Sequence, residues 1–362
     1  MPAFNPARLD LARRRRGKTK GQLAKELGVS PRTLLAYQRG ETPPGPSVLE
    51  LMSQRLGFPV AFFAGDDLEE PPVDGSSFRS MTRLTSQRRE RALAAGTLAM
   101  ELSNWIETKF KLPTPSVPTY ATLDPETAAA AVRSEWELGE LPIKNMIHVA
   151  ESRGVRVFSL TEDCREMDAF SFWREDRPYI FLNTMKSAEH SRFDCAHEIG
   201  HLVLHPRGSK TRMAEFEADQ FASAFLMPEG DVLANAPKSP SVGSLIQAKR
   251  RWNVSLAALV YRLHKVGVVT EWQYRALFVE LSKHGYRTRE PNPAQAERSQ
   301  ALAKVLGMLK DEGISRAEIA AALNFPADEI GKLLFGLVPL SPLPGGAVKT
   351  ERSASREHLR VV

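Results

Sequence analysis

Apolar residues recur at helical spacing over most of this 362-residue chain, with strand-like alternation confined to one central stretch. Near the N-terminus, Thr19 can cap a helix that carries Leu23, Ala24 and Leu27 on its inner face. Gly28 breaks that helix, and Ser30 caps a second one that starts at Pro31 and runs through Leu34 and Tyr37. With Val29 these apolar residues form one shared contact, and the small Ala24 lets the helices approach, so the segment reads as a helix-turn-helix. The acidic stretch from Asp66 to Ser77, with its Pro, Gly and Ser, reads as a linker. A long helical pattern from Arg83 to Lys111 is closed by Leu112-Pro113-Thr114-Pro115, and Asp124-Pro125-Glu126 opens another helix. Val155–Phe158, Ala169–Trp173 and Tyr179–Leu182 are separated by polar or Pro-containing turns and predict a small antiparallel sheet. The rest is mainly helical. It includes a second hairpin with helix-turn-helix spacing at 314–335, whose few basic residues suit packing or protein contact better than DNA. The expected class is mainly α with a small antiparallel β-sheet (α+β). The expected divisions are 1–64, a linker at 65–82, a connecting helix at 83–118, a central domain at 119–270, a helical C-terminal region at 271–338 and a disordered tail at 339–362.

Composition narrows the function classes. An apolar content of 42% is enough for several cores and excludes a wholly disordered or fibrous chain. No run of ~18 apolar residues is present, and Met1-Pro2-Ala3-Phe4 leads into charge, so neither a membrane span nor a secretory signal is expected and the expected location is cytoplasmic. Cys164 and Cys195 are too few for a disulfide framework. The net charge of +6 is unevenly spread. Residues 1–64 hold eleven Lys or Arg, including Arg13-Arg14-Arg15-Arg16, against four acids, a net +7 that leaves −1 for everything else. Such asymmetry suggests a nucleic-acid module on a near-neutral body, against the plainer alternative of an exposed arginine-rich helix.

The string Arg8-Leu9, Ala12-Arg13, Leu23-Ala24, Leu27-Gly28-Val29-Ser30, Tyr37-Gln38-Arg39-Gly40, Pro43, Leu56-Gly57 and Phe62-Phe63 closely resembles the XRE (Cro-type) helix-turn-helix family over about 60 residues. That resemblance implies a five-helix domain that binds double-stranded DNA, although some family members bind protein partners instead. In that geometry the second helix enters the major groove, first turn foremost. Arg32 and Thr33 are then placed for base contact, Ser30 and Lys20 near phosphates, and Arg39 at the margin. Lys20 stands where the family usually has Gln and Gln38 where it often has Glu, so sequence preference does not carry over. Family repressors often dimerise, which makes a homodimer a candidate partner without identifying an interface.

Residues 193–205 contain H-E-x-x-H as His197-Glu198-Ile199-Gly200-His201. On a helix, positions i and i+4 lie one above the other, so two imidazoles can converge on one ion with Glu198 beside its open side. Phe193, Ala196, Gly200 and Leu204 share the face of both histidines and turn it inward. His205 lies ~12 Å along the axis from His197, too far to join them on one ion. A metzincin would need His at 207, where Arg207 stands. In the next helical segment Glu215 and Asp219 are again i and i+4, beside Ala218 and Ala222, whereas Glu217 points ~200° away from Glu215. The expectation is a gluzincin-like Zn2+ site with ligands His197, His201 and Glu215, Glu198 as general base, and Asp219 accepting the second ring N–H of a ligand histidine.

Residues from about 120 to 270 resemble the ImmA/IrrE metallopeptidase family. The match rests on Met167-Asp168-Ala169-Phe170, Pro178, Ile180-Phe181-Leu182-Asn183, the His197–His201 motif with Leu204-His205, and Glu215, Ala218-Asp219, Phe221-Ala222 and Leu226-Met227-Pro228. The resemblance implies zinc-dependent cleavage of a repressor or regulator protein, relieving repression of stress or mobile-element genes. Asp219 replaces an Asn often found there. An extended substrate could pair with an open sheet edge, for which Tyr179–Leu182 is a candidate strand, against the plainer reading of a core strand. Cys195 reads as a small buried thiol. Two functions stay open here: a DNA-tethered zinc endopeptidase, or a non-catalytic transcription factor whose peptidase-like domain senses a ligand, metal or partner.

Overall fold

The computed structural model describes residues 3–72, 85–160, 167–206, 211–339 and the pair 359–360. Part of the expected linker (73–82), Cys164, Arg207 and most of the tail lie outside the described residues.

Four α-helices build the N-terminal domain: α1 (Pro6–Arg15), α2 (Lys20–Glu26), α3 (Pro31–Gln38) and α4 (Pro46–Leu56). The fifth expected helix is a 3-10 turn, Val60–Ala64, because only five residues fit between Pro59 and Gly65. A reciprocal pair of hydrogen bonds between Thr19 and Gln22 starts α2, and the Thr33 amide donates to Ser30 Oγ at 3.0 Å to start α3. Gly28 turns the chain between them at φ +64°, a left-handed conformation suited to glycine. Leu9, Leu23, Leu34, Met52 and Phe62 are each no more than 1% exposed and form the core.

α5 (Ser86–Glu107) is more than a connector. Its residues 92–100 are all buried, so it has no polar face over two and a half turns, as a helix covered on several sides requires. It packs against α1 on the N-terminal domain and approaches the sheet of the central domain, where a Cβ on Gly96 would lie 3.8 Å from Phe181 and 2.7 Å from Pro71.

The two-residue strand β1 (Phe110–Lys111) pairs in parallel with Leu359–Arg360. α6 (Pro125–Glu135) and α7 (Met146–Ser152) lead to β2 (Arg156–Ser159), β3 (Ala169–Arg174) and β4 (Arg177–Leu182). The sheet order is β2-β4-β3, antiparallel across β3–β4 and parallel across β2–β4. The sheet is therefore mixed, not antiparallel throughout. The β3–β4 hairpin obeys the local turn, but β4 buries Tyr179, Ile180, Phe181 and Leu182 and takes the centre, so β2 joins its other edge. For the same reason Tyr179–Leu182 is no open edge for a substrate; β3 and β2 are the outer strands.

α8 (Ala188–Leu204) and α9 (Arg212–Leu226) lie against each other, with α8 also touching β3 and β4. Helices α10 (Glu229–Asn235), α11 (Val242–Ala248), α12 (Leu256–Lys265), α13 (Glu271–Lys283) and α14 (Gln300–Asp311) continue the chain. The last hairpin, α15 (Arg316–Ala322) and α16 (Glu329–Leu333), returns to the N-terminal domain. Phe325 meets Phe62 edge-on with ring centroids 6.4 Å apart, and Glu329 pairs with Arg15.

Candidate metal centre and helix-turn-helix surface

α8 opens on Ser187, whose hydroxyl accepts from the His190 amide at 3.2 Å, and it runs through to Leu204 without a break. Gly200 serves the packing of α8 on α9: a Cβ there would sit 3.0 Å from Cδ1 of Phe221, a fully buried ring. This close approach lets α9 present its acids to the two histidines.

The result is a convergent set of donors. The Nε2 atoms of His197 and His201 are 3.0 Å apart; Glu215 Oε2 is 3.8 Å from His197 Nε2, and Glu215 Oε1 is 3.6 Å from His201 Nε2. Atoms that share one ion at ~2.0–2.2 Å can be no more than ~4.4 Å apart, so these three residues fit a single centre. Two imidazole nitrogens and a carboxylate are also the donor types such an ion takes.

Around this centre each side chain is oriented by a neighbour. His197 Nδ1 lies 2.9 Å from Asp219 Oδ1. Burial pulls His197 down, but the Asp219 hydrogen bond and the charges of Glu198, Asp219 and Glu215 outweigh it and push the imidazole up to about 9. Burial, with His197 and His205 beside it, holds His201 well below the usual histidine range. The two imidazoles thus sit in opposite electrostatic settings, His197 among carboxylates and His201 beside other imidazoles. The Glu198 carboxylate is buried beside the histidines and accepts from Ser171 Oγ at 2.6 Å.

Ser171 was not anticipated. Its one sequence signal is a hydroxyl set between Phe170 and Phe172 on a strand, where it faces the motif helix across from the rings. Glu217, which points away from Glu215 as expected, accepts from His205 Nε2 at 2.8 Å. Cys195 is fully buried and its thiol is pushed well above the usual range by burial, so it offers no thiolate to a metal. A second group, Asp168, His190 and Asp194, also gathers within ligand distance. The ammonium of Lys186 already lies among them, against Asp168 and 3.1 Å from His190 Nε2.

On the helix-turn-helix, Arg32 is exposed in the first turn of α3 and Lys20 is exposed at the start of α2. The Ser30 and Thr33 hydroxyls are 2.8 Å apart and hold each other while Ser30 caps the helix. Arg39, at the other end of α3, is exposed and 3.5 Å from Glu41. The arginine run, which supplies four of the domain's eleven cations, is engaged within the protein. Arg13 is bonded to Asp10 and the Lys18 carbonyl, Arg14 to Asp10 and Glu70, Arg15 to Glu329, and Arg16 to the Leu56 carbonyl while its guanidinium lies over Phe58. These four cations tie the fold together. The exposed basic residues of the domain are Lys20, Lys25, Arg32, Arg39 and Arg55.

Residues 150–264 match the family model described as IrrE N-terminal-like domain, and residues 9–63 match the one described as Helix-turn-helix. No curated protein matches the chain. No helix among the described residues is long and apolar enough to cross a membrane.

Proposed function

Because the chain fuses an XRE-type helix-turn-helix domain to an IrrE/ImmA-like peptidase domain, we propose that it is a DNA-binding transcriptional regulator that also acts as a zinc-dependent endopeptidase. Its substrate on this reading is a repressor or regulator protein whose cleavage switches stress or mobile-element genes. The observation that carries the proposal is the convergence of His197, His201 and Glu215 beside the buried Glu198 carboxylate.

His197, His201 and Glu215 would hold the ion, a set of two imidazoles and one carboxylate that suits zinc. Bound there, zinc would supply Lewis acidity toward a peptide carbonyl and toward water. Glu198 would accept a proton from the attacking water and return it to the leaving amine, with Ser171 fixing the carboxylate for both transfers. Asp219 orients His197. An extended substrate lies along β3, which among the described residues has a strand neighbour on one side only and carries Ser171 toward the centre. On the helix-turn-helix, Arg32 and Thr33 meet base edges, Lys20 and Ser30 sit near phosphates, and Arg39 is at the margin of the contact.

The test uses the zinc-loaded full chain, incubated with regulators encoded beside its gene and compared with Glu198→Gln. The variant is expected to keep zinc and DNA binding and to lose cleavage. Normal gene regulation by Glu198→Gln in cells would reject the peptidase role in favour of a non-catalytic sensor.

A further inference from the structure

The two histidines of the proposed metal centre are oriented by different devices. His197 Nδ1 faces a carboxylate directly, Asp219 Oδ1 at 2.9 Å. His201 Nδ1 faces another imidazole, His205 Nδ1, at 3.3 Å. The far nitrogen of that imidazole, His205 Nε2, faces Glu217 Oε2 at 2.8 Å. His205 is the cap residue at the C-terminal end of α8, largely buried, and Glu217 reaches it from α9.

With His205 neutral, the chemistry of the three groups sets where the protons sit. A carboxylate only accepts, so His205 in contact with Glu217 carries its proton on Nε2. In the neutral form of His205 its Nδ1 is then a lone pair, and His201 makes the 3.3 Å contact a hydrogen bond by donating from Nδ1. With its proton there, His201 has a lone pair on Nε2, the atom 3.0 Å from His197 Nε2 and 3.6 Å from Glu215 Oε1. The opposite tautomer of His201 would put a hydrogen where a metal ligand needs a lone pair.

We infer that Glu217 and His205 are positioning residues that lock His201 in the Nδ1–H tautomer and so present its Nε2 lone pair to the metal. α9 thereby supplies three acids with separate tasks: Glu215 toward the ion, Asp219 behind His197, and Glu217 behind His201 through His205. The inference rests on the metal-centre assignment proposed above. The competing explanation is that the His205–Glu217 pair only ties the end of α8 to α9.

Three variants of the full chain separate the two. His205→Phe keeps a ring and removes the acceptor. His205→Asn keeps an acceptor near the Nδ1 position. Glu217→Gln replaces an acceptor-only group by an amide that can also donate, which opens the opposite tautomer to both histidines. Long-range proton–nitrogen NMR of the metal-free protein, labelled at histidine nitrogens, reads the His201 tautomer. Wild type and His205→Asn are expected to show the Nδ1–H form, and His205→Phe and Glu217→Gln a growing Nε2–H form. Zinc affinity is expected to fall about 10- to 100-fold in His205→Phe and about tenfold in Glu217→Gln, and to recover most of the loss in His205→Asn. If the Nδ1–H form and the zinc affinity persist in both His205→Phe and Glu217→Gln, the pair is a helix tie and the inference is wrong. Glu217→Gln alters a partly exposed side chain, so it reports even if His205→Phe fails to fold. A wild-type chain that takes up no zinc would instead sink the metal-centre assignment, while the tautomer measurement would still judge the pairing.

Discussion

Arg15 Nε donates to Glu329 Oε1 at 2.6 Å across 314 residues of sequence, with the two side chains 2% and 0% exposed. The pair joins the first helix of the helix-turn-helix domain to the last helix among the described residues. Removing one partner strands a buried charge, at a cost of about 3–5 kcal/mol. Glu329→Ala is therefore expected to lower the unfolding free energy by that amount in denaturant titration. The double variant Arg15→Met/Glu329→Leu should recover most of it, because an apolar pair of similar volume strands no charge. Equal losses in the single and double variants would refute this account of the pair.

The proposed DNA contact divides the basic residues into two groups. Arg32→Ala should cost ~1–3 kcal/mol on a cognate site and relax specificity at one base position; a uniform loss on every sequence would make Arg32 a phosphate contact. Lys20→Ala should weaken binding on all sequences and reduce the salt slope by about 1. Arg14→Ala should lower thermal stability yet leave the slope of log K against log salt unchanged, since its guanidinium is engaged with Asp10 and Glu70. Binding isotherms at several salt concentrations decide between these outcomes.

Gly200→Ala is expected to act against helix propensity. At an exposed helical site that change stabilises by ~1 kcal/mol. Here the added methyl would meet Phe221, which is fully buried and stacked on Phe225, so the ring has no room to yield. A net loss of roughly 1–2 kcal/mol is expected from overpacking. Increased stability in thermal denaturation would show that α8 and α9 can part without cost.

Asp231 provides a pH-dependent contribution. Its carboxylate accepts from Arg251 Nε at 2.9 Å and Trp252 Nε1 at 2.8 Å. The Arg251 hydrogen bond, with help from Trp252 and against the opposing pull of burial, holds Asp231 below the usual carboxylate range. A folded-state value below the unfolded one stabilises fully above about pH 4, and the gain is lost as pH falls through the folded-state value. Melting temperatures measured from pH 6 to pH 3 should fall more steeply for wild type than for Asp231→Asn. At neutral pH that variant is expected to be less stable by about 1–3 kcal/mol. Parallel pH curves would assign the acid sensitivity to other groups.

How much of this could be read from sequence depended on the distance between partners. His197 with His201, and Glu215 with Asp219, sit at helical spacing, so each pair shares a helix face before any tertiary contact is known. Thr19 and Ser30 were legible as helix caps for the same local reason. Ser171 was not, because its partner Glu198 is 27 residues away on a different element. The partners of the arginine run were not legible either: charge counting locates cations but not their counterions, and Glu70 and Glu329 lie 56 and 314 residues off. The sheet order escaped because turns between consecutive strands suggest a meander, whereas the burial of β4 on both sides decides which strand is central.

The burial of α5 over residues 92–100 has a consequence for modularity. Although the family match for the N-terminal domain ends at residue 63, the surface that α1 turns toward α5, and the arginine it extends to Glu329, are completed by chain far beyond that boundary. A graft of residues 1–64 onto another protein would carry the DNA-reading helices while leaving behind part of their support. The exchangeable unit in this architecture is a reader together with α5 and the closing hairpin, a discontinuous block rather than a segment.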